Sequence, residues 1–219
     1  MDNCEDFRQS LLAAKEYNDE KFAVFLAAAD VLAAKMSLEE RAAAVSGALA
    51  CGQAAAGEIA DGFSGRRPSE VAGQMGLKII EAHRVFMRPI LSSYDPQART
   101  ISVNPTLLNT IERIVDEYGL SELLGAFTPR EVAIGHELFH HIEGGDKNLF
   151  VKRFTITLWR LGPFRYRSTV PAVSEIAAFA CAKGLCRLDF NPLLLDAIIL
   201  KGIHPEQAEP WFRRLRDTV

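Results

Sequence analysis

The segment from Thr128 to Gly145, TPREVAIGHELFHHIEGG, constrains this chain more than any other. Thr128 offers a hydroxyl at a helix start, Pro129 takes the first helical position, and Glu131 stands three residues after the cap, the pattern of a capping box. Gly144-Gly145 supplies the stop. The spacing predicts a helix from Pro129 to Glu143. On such a helix His136 and His140 lie on one face, because four residues advance about 400°. Two imidazoles so placed reach one Zn²⁺ at about 2.0–2.1 Å, as two of three protein ligands in an open site. Glu137 follows the first of them, so its carboxylate can reach a water at the cation without ligating the cation itself. The helix signals are independent of the histidines, and they lift His136-Glu137-Leu138-Phe139-His140 above a chance H-E-x-x-H on a solvated face.

An open tetrahedral site needs one more ligand, and no acidic residue stands between Asp146 and Glu175. Glu143 shares roughly the histidine face but lies too far along the helix, and Asp146 falls in the stop. Glu175 sits early in the next well-marked helix, SEIAAFACAKGL, from which a crossing helix can project a carboxylate onto the metal. Glu175 is therefore the preferred third ligand. Its alternative role is that of an early-turn carboxylate complementing the helix dipole.

The rest of the chain reads as an α+β protein of 219 residues. Residues 1–62 are rich in Ala, Glu and Lys, with apolar positions at helical spacing and a Ser37 cap before Glu39 and Glu40. Composition changes at Asp61-Gly62-Phe63-Ser64-Gly65, which sets a helical N-terminal extension, 1–62, apart from a second unit, 63–219. A short helix from Pro68 to Met75 closes at Gly76. Segments 77–82, 90–94 and 100–103 have strand character, with a hairpin turn at Asp95-Pro96. Helices are expected again after Asn104-Pro105 (to Gly119), from Pro171 to Lys183 (closed by Gly184), after Asn191-Pro192 (to Gly202) and around Trp211.

Hydrophobic residues make up 48% and charged residues 24%, which excludes a disordered chain, and 25 basic against 28 acidic residues argue against a dedicated nucleic-acid binder. The apolar run from Phe22 to Ala34 carries Asp30 and is too short to span a bilayer. The acidic N-terminus lacks the marks of a signal peptide. Cys4, Cys51, Cys181 and Cys186 are scattered and read as reduced, mostly buried thiols of a cytoplasmic protein.

His136-Glu137-Leu138-Phe139-His140-His141, the later Glu175-Ile176-Ala177-Ala178, the strand-turn-strand YDPQARTISVNP and the opening RRPSEVAGQMGLKII together resemble the ImmA/IrrE-type metallopeptidases, zinc-dependent gluzincins of bacteria and phages. The resemblance covers residues 66–190. It implies a zincin-like fold with a small sheet packed on helices and one zinc ion per chain. His136, His140 and Glu175 would be its ligands and Glu137 the catalytic carboxylate. The substrate it implies is a peptide bond in a regulatory protein, commonly a transcriptional regulator. Phe179 stands where many gluzincins carry Asp or Asn, so another residue must orient a histidine. Gly184-Leu185-Cys186 replaces the usual Leu-Met-Pro helix end. The alternative that the Phe179 departure motivates is a gluzincin-fold protein that binds a regulator without cleaving it.

Thr100–Val103 is the expected cleft-bordering strand, free to pair with an extended substrate. His141 is rotated about 100° from the ligand face and is expected to pack away from the metal. Arg165 and Tyr166 fall where a transition-state donor is sought, but neither enters the catalytic set. The acid-free stretch from Lys147 to Ser174 reads first as a solvated basic face, and second as a steering surface for an acidic partner. Trp159, Phe164, Trp211 and Phe212 fit a core or the walls of a groove equally well.

Overall fold

A computed structural model describes residues 3–83, 89–125 and 127–218. Three N-terminal helices, α1 (Asn3–Lys15), α2 (Asp19–Ala28) and α3 (Leu38–Gly62), precede the short α4 (Pro68–Gln74). Strands β1 (Lys78–Glu81), β2 (Ser92–Asp95) and β3 (Thr100–Val103) follow, then α5 (Pro105–Glu117), the single turn α6 (Ser121–Leu124) and α7 (Pro129–Gly145). The turn α8 (Phe150–Arg153) leads into a second pair of strands, β4 (Ile156–Leu161) and β5 (Phe164–Ser168). Helices α9 (Pro171–Cys186), α10 (Leu194–Ile203) and α11 (Pro205–Asp217) complete an α+β protein. Among the described residues no helix is long and apolar enough to cross a membrane.

The first sheet has the order β1-β3-β2, with β3 parallel to β1 and antiparallel to β2 across the Asp95-Pro96 turn. This corrects the expectation for Thr100–Val103. Both backbone edges of β3 are already paired, so it has none to offer an extended chain. The edge strand on the side of α7 is β2.

The expected capping box at the start of α7 does not form. The Thr128 side chain makes no capping bond. The Glu131 carboxylate instead accepts from the Ser69 backbone N–H at 2.8 Å and its hydroxyl at 2.7 Å, tying α7 to the first turn of α4. Pro129 still starts the helix. At the far end α7 runs through both Gly144 and Gly145, neither of which takes a positive φ, and stops at Asp146. The reciprocal box does form on α3, between Ser37 and Glu40.

Helix α9 sets the position of Glu175, and it is held by close approach to α3. The buried residues of α3 are Ala44, Val45, Ala48, Gly52, Ala55, Ala56 and Ile59, and the helix packs on α9 with Gly52 against Ala177 and Ala180. Small residues let the two backbones meet. A Cβ on Gly52 would overlap the Ala177 carbonyl, and one on Gly184 would lie 2.8 Å from the Ala56 Cβ. Helix α9 continues through Gly184 and is capped instead at Arg187, in the left-handed region at φ 52°. The core of buried residues around α3, α7 and α9 takes side chains from both sides of residue 62.

Helix propensity and steric fit can be separated on α3. Gly52→Val should lower stability by about 1–3 kcal/mol through overpacking. Gly57→Ala, which meets nothing within 4 Å, should raise stability by about 0.5–1 kcal/mol. Thermal or urea unfolding of the two variants measures both effects, and equal shifts in one direction would contradict this packing.

Candidate metal centre

Helix geometry aims His136 and His140 at one point, and the crossing of α9 over α7 brings Glu175 to the same point. The His136 and His140 Nε2 atoms are 3.2 Å apart. Glu175 Oε2 lies 3.2 Å from His136 Nε2, and its Oε1 lies 3.5 Å from His140 Nε2. Three donors at about 2.0–2.1 Å from a tetrahedral zinc are separated by about 3.3 Å, so the arrangement has the dimensions such an ion requires. Two imidazole nitrogens this close also need a proton or a cation between them, since two lone pairs facing each other repel. The donor set therefore fits a divalent metal. The Glu175 side chain is 44% exposed, which leaves the cluster open to solvent on one side.

The residue that orients His140 is Glu143. Its Oε2 accepts from His140 Nδ1 at 3.1 Å, which leaves the Nε2 lone pair facing the other two donors. Ser174 Oγ donates to the same oxygen at 2.7 Å, and Lys152 Nζ pairs with Oε1 at 3.1 Å. Burial alone would raise the Glu143 pKa, but the bonds from His140, Ser174 and Lys152 outweigh it and hold it at about 2. The role that Phe179 cannot play is thus taken from within α7 itself. Phe179 packs edge-on against the His136 ring at 4.7 Å between centroids.

Glu137 is 3% exposed, and its Oε1 accepts a 2.7 Å hydrogen bond from Ser92 Oγ on β2. The edge strand therefore meets the helix at the carboxylate expected to act as base. His141 packs against the sheet: its Nδ1 lies 2.8 Å from the Tyr94 hydroxyl, and burial with Arg99 lowers its pKa. Tyr166 is exposed on β5, stacked on Trp159, with Arg165 beside it.

The structure brings His136, His140 and Glu175 together, and Glu137 stands next to His136 on α7 with its carboxylate bonded to Ser92. Sequence reasoning missed Ser92, Ser174 and Lys152, none of which carries a motif. It weighed Glu143 only as a ligand, although a carboxylate one turn past His140 was a usable signal for a second-layer partner. Comparison with family models, characterised proteins and solved structures finds no match.

Burial disfavours a charged His136, but the Glu175 carboxylate prevails and raises the ring's pKa. Burial likewise favours a neutral Glu175, and His136 prevails in keeping its pKa low. Glu175 thus favours a proton on His136, and a cation must displace that proton. Zinc affinity, read by chelator competition, should therefore rise with pH and level off only above the ordinary histidine value of 6.5. A plateau reached below that value would contradict the pairing. Glu143→Ala should weaken zinc binding by about 10–100-fold in the same assay, with the helical content unchanged by circular dichroism.

Proposed function

We propose that this protein is a zinc-dependent metallopeptidase of the ImmA/IrrE type, with a gluzincin fold, that hydrolyses a peptide bond in a regulatory protein. The observation that carries the reading is the convergence of His136 Nε2, His140 Nε2 and the Glu175 carboxylate at tetrahedral donor spacing, with the Glu137 carboxylate on the adjoining position of the same helix. Bound by these three residues, the cation would polarise a carbonyl and make water a nucleophile near neutral pH.

The rest of the chemistry falls to the chain. Glu137 takes a proton from the attacking water and returns it to the leaving amine nitrogen. The Ser92 hydroxyl holds Glu137 Oε1 in place, so the other oxygen is the one that handles the proton. Glu143, Ser174 and Lys152 fix the His140 ring. Strand β2 offers the edge along which a substrate segment can lie extended, since β3 is paired on both sides.

Glu137→Gln should keep full zinc content by elemental analysis while cleavage falls by about 10²–10⁴-fold, the usual contribution of a positioned acid–base group. His136→Ala should lose both metal and cleavage. Digestion of a mixed peptide library by the zinc-loaded protein, followed by mass spectrometry, reads the activity whatever the sequence of the natural substrate. Unchanged cleavage by Glu137→Gln would remove the assigned base, and a chain that takes up no zinc would remove the hydrolase.

A further inference from the structure

The β4–β5 hairpin stands apart from the packed body. Ile156 at its base is buried, but from Trp159 to Arg167 every residue is exposed. Cross-strand pairs join Trp159 to Tyr166, Arg160 to Arg165 and Leu161 to Phe164 around a Gly162-Pro163 loop, in which Gly162 takes φ 57°. Side chains alternate faces along a strand. One face of the ribbon therefore carries Trp159, Leu161, Phe164 and Tyr166, exposed by 52%, 71%, 70% and 52%. The opposite face carries Arg160 and Arg165.

Two features of this ribbon are unfavourable in the free chain. Four large apolar side chains lie together in water, in a two-stranded unit that is marginal by itself. Two arginines sit directly opposite each other across the strands, an arrangement that like charges disfavour, and among the described residues neither meets a carboxylate. A partner bringing apolar side chains to one face and acidic groups to the other relieves both. In chain order the ribbon also lies between the elements that carry the donor cluster. Strand β4 follows α8, whose Lys152 holds Glu143, and β5 leads into the first turns of α9, which carry Ser174 and Glu175.

We infer that the β4–β5 hairpin is a docking site for the protein substrate, and that it takes a segment in which large apolar residues are interspersed with Asp or Glu. The inference rests on the peptidase reading for its word substrate, but the binding itself needs no metal. A flexible protein segment can wrap both faces of the ribbon, whereas a flat bilayer meets one face at a time. A nucleic-acid backbone would need a continuous cationic track, and the chain as a whole carries a charge of −3. Trp, Tyr and Arg are also the residue types that dominate binding energy at protein interfaces.

Fluorescence anisotropy on the full chain carrying Glu137→Gln tests this with two labelled peptides. One alternates Glu with Leu and Phe, and the other has Lys at every acidic position. The acidic peptide should bind and the lysine peptide should not. The double variant Arg160→Glu/Arg165→Glu should invert that preference, and a gain of binding cannot come from misfolding. Trp159→Ala/Phe164→Ala should weaken the acidic peptide by roughly tenfold or more. Equal binding of both peptides, or indifference to charge reversal, overturns the inference. So does tighter binding to phosphatidylserine vesicles or to single-stranded DNA through the same residues. Acidic-peptide binding together with no cleavage by the zinc-loaded parent leaves the dock standing and removes the peptidase. Cleavage without that binding does the reverse.

Discussion

Two imidazole nitrogens 3.2 Å apart, with a carboxylate oxygen at the same distance from one of them, form an arrangement that positive charge must stabilise. Without a cation the two lone pairs repel unless a proton lies between them, and the Glu175 carboxylate favours a proton on His136. The surroundings of the three donors work to keep that geometry. Glu143 is held ionised by three donors and fixes one ring. Phe179 supports the flank of the other, and the open side of the Glu175 carboxylate faces solvent. A cluster organised in this way is prepared for a cation that retains a vacant coordination position.

The three candidate donors come from two helices, and their relative placement is decided some distance away. The backbones of α3 and α9 approach closely because Gly52, Ala56, Ala177 and Gly184 present almost no side chain. That contact sets where the second turn of α9 lies over α7, and hence where Glu175 points. The Ser69–Glu131 bonds anchor the other end of α7. The N-terminal helices, which carry no chemical motif, therefore help to set the geometry of the donor cluster through packing alone.

Several elements were legible in the sequence because their signals are local. Pro at the first helical position marks α4, α5, α7 and α9, and the turn at Asp95-Pro96 marks the hairpin of β2 and β3. Other signals misled for a physical reason. Thr128 and Glu131 spell a capping box, yet the Glu131 carboxylate binds Ser69 instead. Gly144, Gly145 and Gly184 suggest helix ends, yet all three stay helical, because glycine permits a left-handed turn without compelling one. The β4–β5 hairpin was not legible in the same way, although Leu161-Gly162-Pro163-Phe164 is a turn between alternating strands; the surrounding helical signals and the arginine-rich composition obscured it.

By itself the sequence determined what covalent spacing on one helix can determine. His136 and His140 share a face, Glu137 adjoins them, and Glu143 is one turn beyond. It also narrowed the third donor to very few carboxylates, because the chain between Asp146 and Glu175 has none. Only the tertiary structure decided that Glu175 arrives at donor distance, that Glu143 serves His140 and not the metal, and that Ser92 reaches Glu137 from an edge strand. Those contacts join residues far apart in the chain. Their geometry depends on how closely helices and strands can pack, a property of all the intervening side chains together and of no single motif.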